Sequence, residues 1–99
     1  MQLMTKAIEK KIPRLGETES VPLEDKRLYV KYFHIFSSWK WYGAEYNPKT
    51  REFFGYVDGN YPEWGYFTLG GLEEIEVGSL GIERDKHWDD KSTLKEVKE

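Results

Sequence analysis

Ninety-nine residues without a cysteine make one small domain, spanning 1–99, and exclude disulfide frameworks, thiolate metal centres and thiol nucleophiles. The net charge of −3 is too small for a nucleic-acid mimic or a strongly basic binder. It is unevenly spread, +3 over residues 1–50 and −6 over residues 51–99, which can steer a partner or a second copy of the chain.

The N-terminal MQLMTKAIEKKIP has no secretory apolar stretch, and no apolar run approaches the ~20 residues that span a bilayer, so a cytoplasmic protein with no membrane partner is expected. Within that stretch TKAIEKKI (5–12) is predicted as a short helix. Thr5 can accept a bond from a first-turn amide, Ile8 and Ile12 share a face, and Pro13 disfavours helical backbone at Ile12. GETESVPLED reads as a polar connection. RLYVKYFHIF (27–36) is the strongest strand signal, rich in β-branched and aromatic residues and free of Gly and Pro. Neither alternate side is purely polar, which predicts a central strand covered on both faces.

After Ser37 and Ser38, WKWYGAEY reads as the second strand. Regular alternation puts Trp39, Trp41, Gly43 and Glu45 on one side, and Lys40, Tyr42, Ala44 and Tyr46 on the other. NPKT is a turn, EFFGYV (52–57) the third strand, DGNYPE a turn with a hairpin-type Asp58-Gly59 pair, and GYFTL (65–69) a short fourth strand. GGLEEIEV is predicted as a short helix from the spacing of Leu69, Leu72 and Ile75, weakened by its two glycines. GSLGIERDKHWDD reads as a loop and an extended segment, and STLKEVKE as a terminal helix capped by Ser92. This order predicts an α+β fold: an antiparallel meander of about four strands with short helices at both chain ends packed on one face. A small β-barrel with helices is the alternative.

Fifteen of the sixteen aromatic residues lie between Tyr29 and Phe67, against eighteen Ile, Leu and Val in the whole chain, so rings must build much of the core. Rings left outside it suit a protein partner or a homodimer, with the exposed edge of the fourth strand as a second contact. The interval from Lys26 to Ala44 holds four cations and no acid. Cations among rings also suit single-stranded nucleic acid, against which the acidic second half works. The candidate binding surface is Lys31, Trp39, Lys40, Trp41, Tyr42 and Glu45.

Candidate metal ligands cluster only in IERDKHWDD. If that stretch is extended, Glu83, Asp85, His87 and Asp89 project to one side, where three carboxylates and an imidazole suit a divalent cation that activates water, with Glu83, Asp85 and His87 as the candidate ligands. Arg84, Lys86 and Lys91 offer simpler ion-pair partners. His34 reads as a structural histidine. Glu45 among rings is either a carboxyl of raised pKa or half of a cross-strand ion pair. The serines lack a nucleophile-elbow context, and the glycines match neither a phosphate loop nor a dinucleotide fingerprint. No catalytic residue is assigned and no cofactor is implied.

The motifs WYGAE, FFG, GYF and IERDKH, in this order, resemble those of DUF2958, a family of small bacterial proteins of unknown function often carried on plasmids and conjugative elements. The resemblance runs from the first helix to Trp88 and brings no activity with it. It implies a mobile-element setting and matches Trp41, Tyr42, Glu45, Phe53, Phe54, Gly55, Gly65, Tyr66 and Phe67, then Ile82 to Asp85 and His87. The favoured reading is a small interaction module with an aromatic sheet surface, not an enzyme. Single-stranded nucleic-acid binding and metal-dependent hydrolysis are the alternatives.

Overall fold

The computed structural model describes residues 1–77 and 80–98. In chain order they form α1 (Lys6–Lys11), a 3-10 turn (Leu23–Asp25), β1 (Val30–His34), β2 (Lys40–Asn47), β3 (Glu52–Asp58), β4 (Glu63–Thr68), α2 (Leu69–Glu74), β5 (Glu76–Val77), β6 (Leu80–Arg84) and α3 (Leu94–Lys98). The strands lie in the order β4-β3-β2-β1-β6-β5, antiparallel throughout. The expected α+β fold and meander are present, and the sheet is open rather than closed into a barrel. β6, expected only as an extended segment, pairs with β1 and makes it the interior strand that its two-sided apolar sequence requires. Residues 78, 79 and 99, parts of the expected loop and last helix, lie outside the described residues.

Local chemistry sets the helix ends. Ile8 N–H donates to Thr5 Oγ1 (3.1 Å), and Gly71 N–H donates to Thr68 Oγ1 (2.9 Å), so α2 forms despite Gly70 and Gly71. At α3 the capping residue is Thr93 and not Ser92. Thr93 N–H and hydroxyl both donate to Glu96 Oε2 (3.1 and 2.8 Å), while Ser92 is buried and its carbonyl accepts from Leu28 N–H.

The helices do not share one face of the sheet. On the first face, Leu3, Ile8 and Ile12 from the N-terminal segment and Leu69 and Leu72 from α2 cover Val30, Tyr32, Trp41, Tyr46 and Phe53. On the second, Leu94 and Val97 of α3, with Trp88, cover Leu28, Tyr42, Ala44 and Tyr56. Rings populate both strand parities, so each face needs its own cover, and the two chain ends supply one each.

Two features of β2 permit this double layer. A bulge interrupts the ladder between Gly43, opposite Gly55, and Glu45, opposite Phe54. The extra residue, Ala44, shifts the phase of all that follows. Tyr46 therefore joins Trp41 on the first face, with its ring 4.6 Å from Phe53, and Glu45 turns to the second face. This reverses the regular alternation expected from the sequence. The second feature is close approach. A Cβ on Gly55 would lie 1.8 Å from the Tyr42 carbonyl oxygen, and one on Gly43 would lie 2.8 Å from the Phe53 ring. Gly65, next in the same cross-strand row, has open space where its Cβ would be.

Gly55→Ala is therefore expected to destabilise the protein by about 3 kcal/mol or more, as overpacking against rigid backbone does, while Gly65→Ala changes stability by no more than about 0.5 kcal/mol. Chemical denaturation of the two variants beside the parent checks this; equal midpoints for both would refute the close approach.

Candidate interaction surface

Antiparallel pairing brings the β1–β2 turn, the β3–β4 turn and the start of β6 to one end of the sheet. Exposed apolar side chains gather there: Ile35 and Phe36 from the first turn, Trp39 before β2, Tyr61 from the second turn and Leu80 at the start of β6. Phe36 is 68% exposed and Trp39 36%.

The turn is held by its own hydrogen bonds. Phe36 N–H donates to His34 Nδ1 (3.2 Å), Ser37 N–H to His34 O (3.3 Å) and Trp39 N–H to Ser37 Oγ (3.2 Å). His34 is buried with Nε2 3.3 Å from the Leu80 carbonyl, so a neutral imidazole carrying its hydrogen on Nε2 satisfies both neighbours. The Trp39 ring occupies the space where a Cβ on Gly59 would fall, and lies 5.8 Å from Trp41. The β3–β4 turn therefore props Trp39 in place.

This hairpin tip stands between two open depressions. One, of about 330 Å³, is almost wholly apolar and is lined by His34, Phe36, Trp39, Trp41 and Ile75. The other, of about 420 Å³, lies towards the second face among Lys31, Phe33, Ile35, Trp39, Lys40 and Asp85.

The six expected surface residues are thereby divided. Lys31, Trp39 and Lys40 do meet, around the second depression. Trp41, Tyr42 and Glu45 do not join them, because they are core residues at 8%, 3% and 4% exposure. Trp41 packs into the first face and Tyr42 into the second, 5.3 Å from the Trp88 ring. Burial, with the charges of Asp58 and Asp85 nearby, pushes the Tyr42 hydroxyl up to about 12. Lys31 lies 3.7 Å from Asp85 and over the rings of Tyr42 and Trp88, so its charge is already engaged. Reading the first strand through to Phe36 is what hid Ile35 and Phe36. The adjoining Ser-Ser pair was the signal that the strand stops earlier.

Glu45 has a different task. Its carboxylate accepts from Gly16 N–H (2.8 Å), from Thr18 N–H (3.0 Å) and from the Thr18 hydroxyl, with Lys26 Nζ 3.9 Å away. Lys26, itself buried, donates to the Thr18 hydroxyl (2.8 Å) and carbonyl. Gly16 has φ +88°, a left-handed backbone that points its N–H at the carboxylate. Burial alone would raise the Glu45 pKa, but the Thr18 hydroxyl, the two N–H donors and the Lys26 charge outweigh it and hold the carboxyl below its ordinary value. Glu45 is thus an ionised latch for residues 13–26. Its ion pair is with this connection and not across strands, and the raised pKa considered from the sequence is overturned.

The acidic run of the last third also folds differently from an extended strand. β6 ends at Arg84, and Asp85 opens a turn in which Trp88 N–H donates to Asp85 O (3.3 Å) and His87 N–H to Asp85 Oδ1 (2.9 Å). Asp85 is thus occupied by Lys31 and by its own turn, Glu83 stands opposite Phe33 in the sheet, and His87 is exposed. Among the described residues no three His, Cys, Asp or Glu side chains converge to hold a metal ion, so Glu83, Asp85 and His87 are not brought together. Also among the described residues, no helix is long and apolar enough to cross a membrane.

The latch has a pH signature. A carboxyl whose folded pKa lies below its unfolded value contributes stability that is whole above the unfolded value and is lost as pH falls through the folded one. Glu45→Ala is expected to cost about 3–5 kcal/mol at neutral pH by leaving the Lys26 ammonium buried and unpaired. Glu45→Gln is expected to lose stability less steeply than the parent on acidification, as read by thermal unfolding across a pH series. Parallel pH profiles would contradict the latch.

No curated protein and no solved structure matches the chain at significance. One family model does, over residues 3–98, described as protein of unknown function. With nearly the whole sequence covered, the chain belongs to the family DUF2958.

Proposed function

We propose that the protein is a binding module that docks a protein partner at the end of its sheet, with Phe36 and Trp39 as anchors. One observation carries the reading: of eight exposed large apolar side chains among the described residues, five gather at that end, around a hairpin tip fixed by its own hydrogen bonds. Grouped exposed apolar side chains mark contact sites, and rigid aromatic anchors beside concave apolar surface are the usual source of binding energy. The neighbouring depression lined by Trp39, Trp41 and Ile75 would receive an apolar side chain of the partner. Nucleic-acid binding is less well supported, because Lys31 is paired with Asp85 in the depression where phosphates would have to lie.

The test is site-specific photo-crosslinking in the native host. A photoreactive residue at position 36 is expected to give a discrete protein adduct that one at Lys10, exposed on α1, does not. Trp39→Ala is expected to weaken formation of that adduct by about 30-fold, the loss typical of an aromatic anchor. Position 36 giving no more adduct than position 10, or an adduct with nucleic acid that salt abolishes, would refute the reading.

A further inference from the structure

The two edges of the sheet are unlike. One edge is β5, two residues long among the described residues, as edges that avoid further pairing usually are. The other is β4, six residues reading EWGYFT, with no lysine, proline or bulge within it. Leu69 N–H donates to the Arg51 carbonyl (2.9 Å), which sets the phase of the β3–β4 ladder. By alternation Glu63, Gly65 and Phe67 exchange bonds with β3, and Trp64, Tyr66 and Thr68 turn their N–H and C=O groups outward. Among the described residues β4 has no strand partner besides β3.

We propose that two copies of the chain join through their β4 strands, antiparallel about a two-fold axis at Gly65, so that one sheet runs through both. The occupant follows from what the edge offers and from its sequence. Outward backbone donors and acceptors at alternate residues are satisfied by another extended strand. Centred on Gly65, EWGYFT is complementary to itself. Trp64 of each copy stands opposite Tyr66 of the other, each such pair exchanging two backbone hydrogen bonds, and the two Gly65 residues meet at the axis with no side chain to clash. Glu63 stands opposite Phe67, so no like charges oppose each other.

The side chains fit the same register. Tyr66 is 66% exposed, and on the second face it continues a ring series with Phe54 at 5.2 Å and, beyond it, Trp64 at 5.7 Å. Beside Tyr66 runs a groove of about 370 Å³ between Phe54 and the segment Val21-Pro22-Leu23. Trp64 of a second copy would lie at its mouth. Tyr66 and Leu23 are two of the three exposed apolar side chains that the sheet-end surface leaves over, so this contact is separate from that surface.

The chain contains no cysteine, which makes the test direct. Gly65→Cys adds a side chain where nothing lies within 4 Å, and puts two thiols opposite each other in a non-hydrogen-bonded pair, the spacing a disulfide needs. In a glutathione redox buffer Gly65→Cys is expected to form a covalent dimer at least about tenfold faster than Thr50→Cys, an exposed turn residue used as control. Sedimentation of the unmodified protein over a concentration series is expected to show a monomer–dimer equilibrium. Tyr66→Lys, a charge on the free edge, is expected to weaken it at least about tenfold while leaving the circular dichroism spectrum of the monomer unchanged. A monomer at every concentration, a dimer indifferent to Tyr66→Lys, or equal cross-linking at positions 65 and 50 would each overturn the proposal. None of these results bears on the adduct at position 36.

Discussion

The backbone of β2 comes too close to β3 for a side chain at Gly55, the Phe53 and Val30 side chains fill the space one would need at Gly43, and the bulge at Ala44 adjoins this contact. That local distortion organises the protein. A chain this short buries a modest core, and this one fills it with rings on both sides of a single sheet. Close approach of the two strands lets Phe53 lie over Gly43 and contact Tyr32, Tyr46 and Phe67 on the first face. The bulge then turns Tyr46 into that cluster and sends Glu45 to the opposite side. Without the phase change, Glu45 would project into the aromatic layer, where a carboxylate has no partner.

Glu45 in turn fixes the connection between α1 and β1. Beyond Gly43, β2 has no β1 partner, and Pro13 takes that place by accepting from Tyr46 N–H (2.8 Å). The chain then crosses to the second face, where Gly16, Thr18 and Lys26 close around the carboxylate. A buried ion pair whose two charged groups each have hydrogen-bond partners adds little net stability, yet breaking it is costly, so it specifies one path for the connection. Its groups are spent on structure, in place of the raised-pKa carboxyl that Glu45 among rings would be.

Much of the sheet was legible. Strands β1 to β4 follow from period-two aromatic patterning and from the NPKT and DGNYPE turns, and Thr5 marks the start of α1. What stayed hidden depends on tertiary contacts. The bulge leaves no mark in WKWYGAEY, because Gly43 and Ala44 suit either phase. The division of the helices between faces requires knowing that both strand parities carry rings in need of cover. The candidate surface was half legible: Lys31, Trp39 and Lys40 meet, while Trp41, Tyr42 and Glu45 are buried because rings are the core material here. The extended reading of Glu83, Asp85 and His87 failed at Asp85, whose side chain bonds its own turn, a local preference of aspartate that competes with strand.

What remains outside is economical. Apart from Met1, the exposed large apolar side chains among the described residues fall at the sheet end or beside the β4 edge, two places defined by strands ending or lacking a neighbour. The β4 surface depends on the phase that the bulge sets, since Tyr66 packs on Phe54, which stands opposite Glu45. Nuclear Overhauser contacts in solution test that phase most directly. The account predicts cross-peaks between the Tyr46 and Phe53 rings, with the Gly16 and Thr18 amides protected from exchange. Cross-peaks from Tyr46 to Phe54 in their place, as regular alternation through Ala44 would give, contradict it.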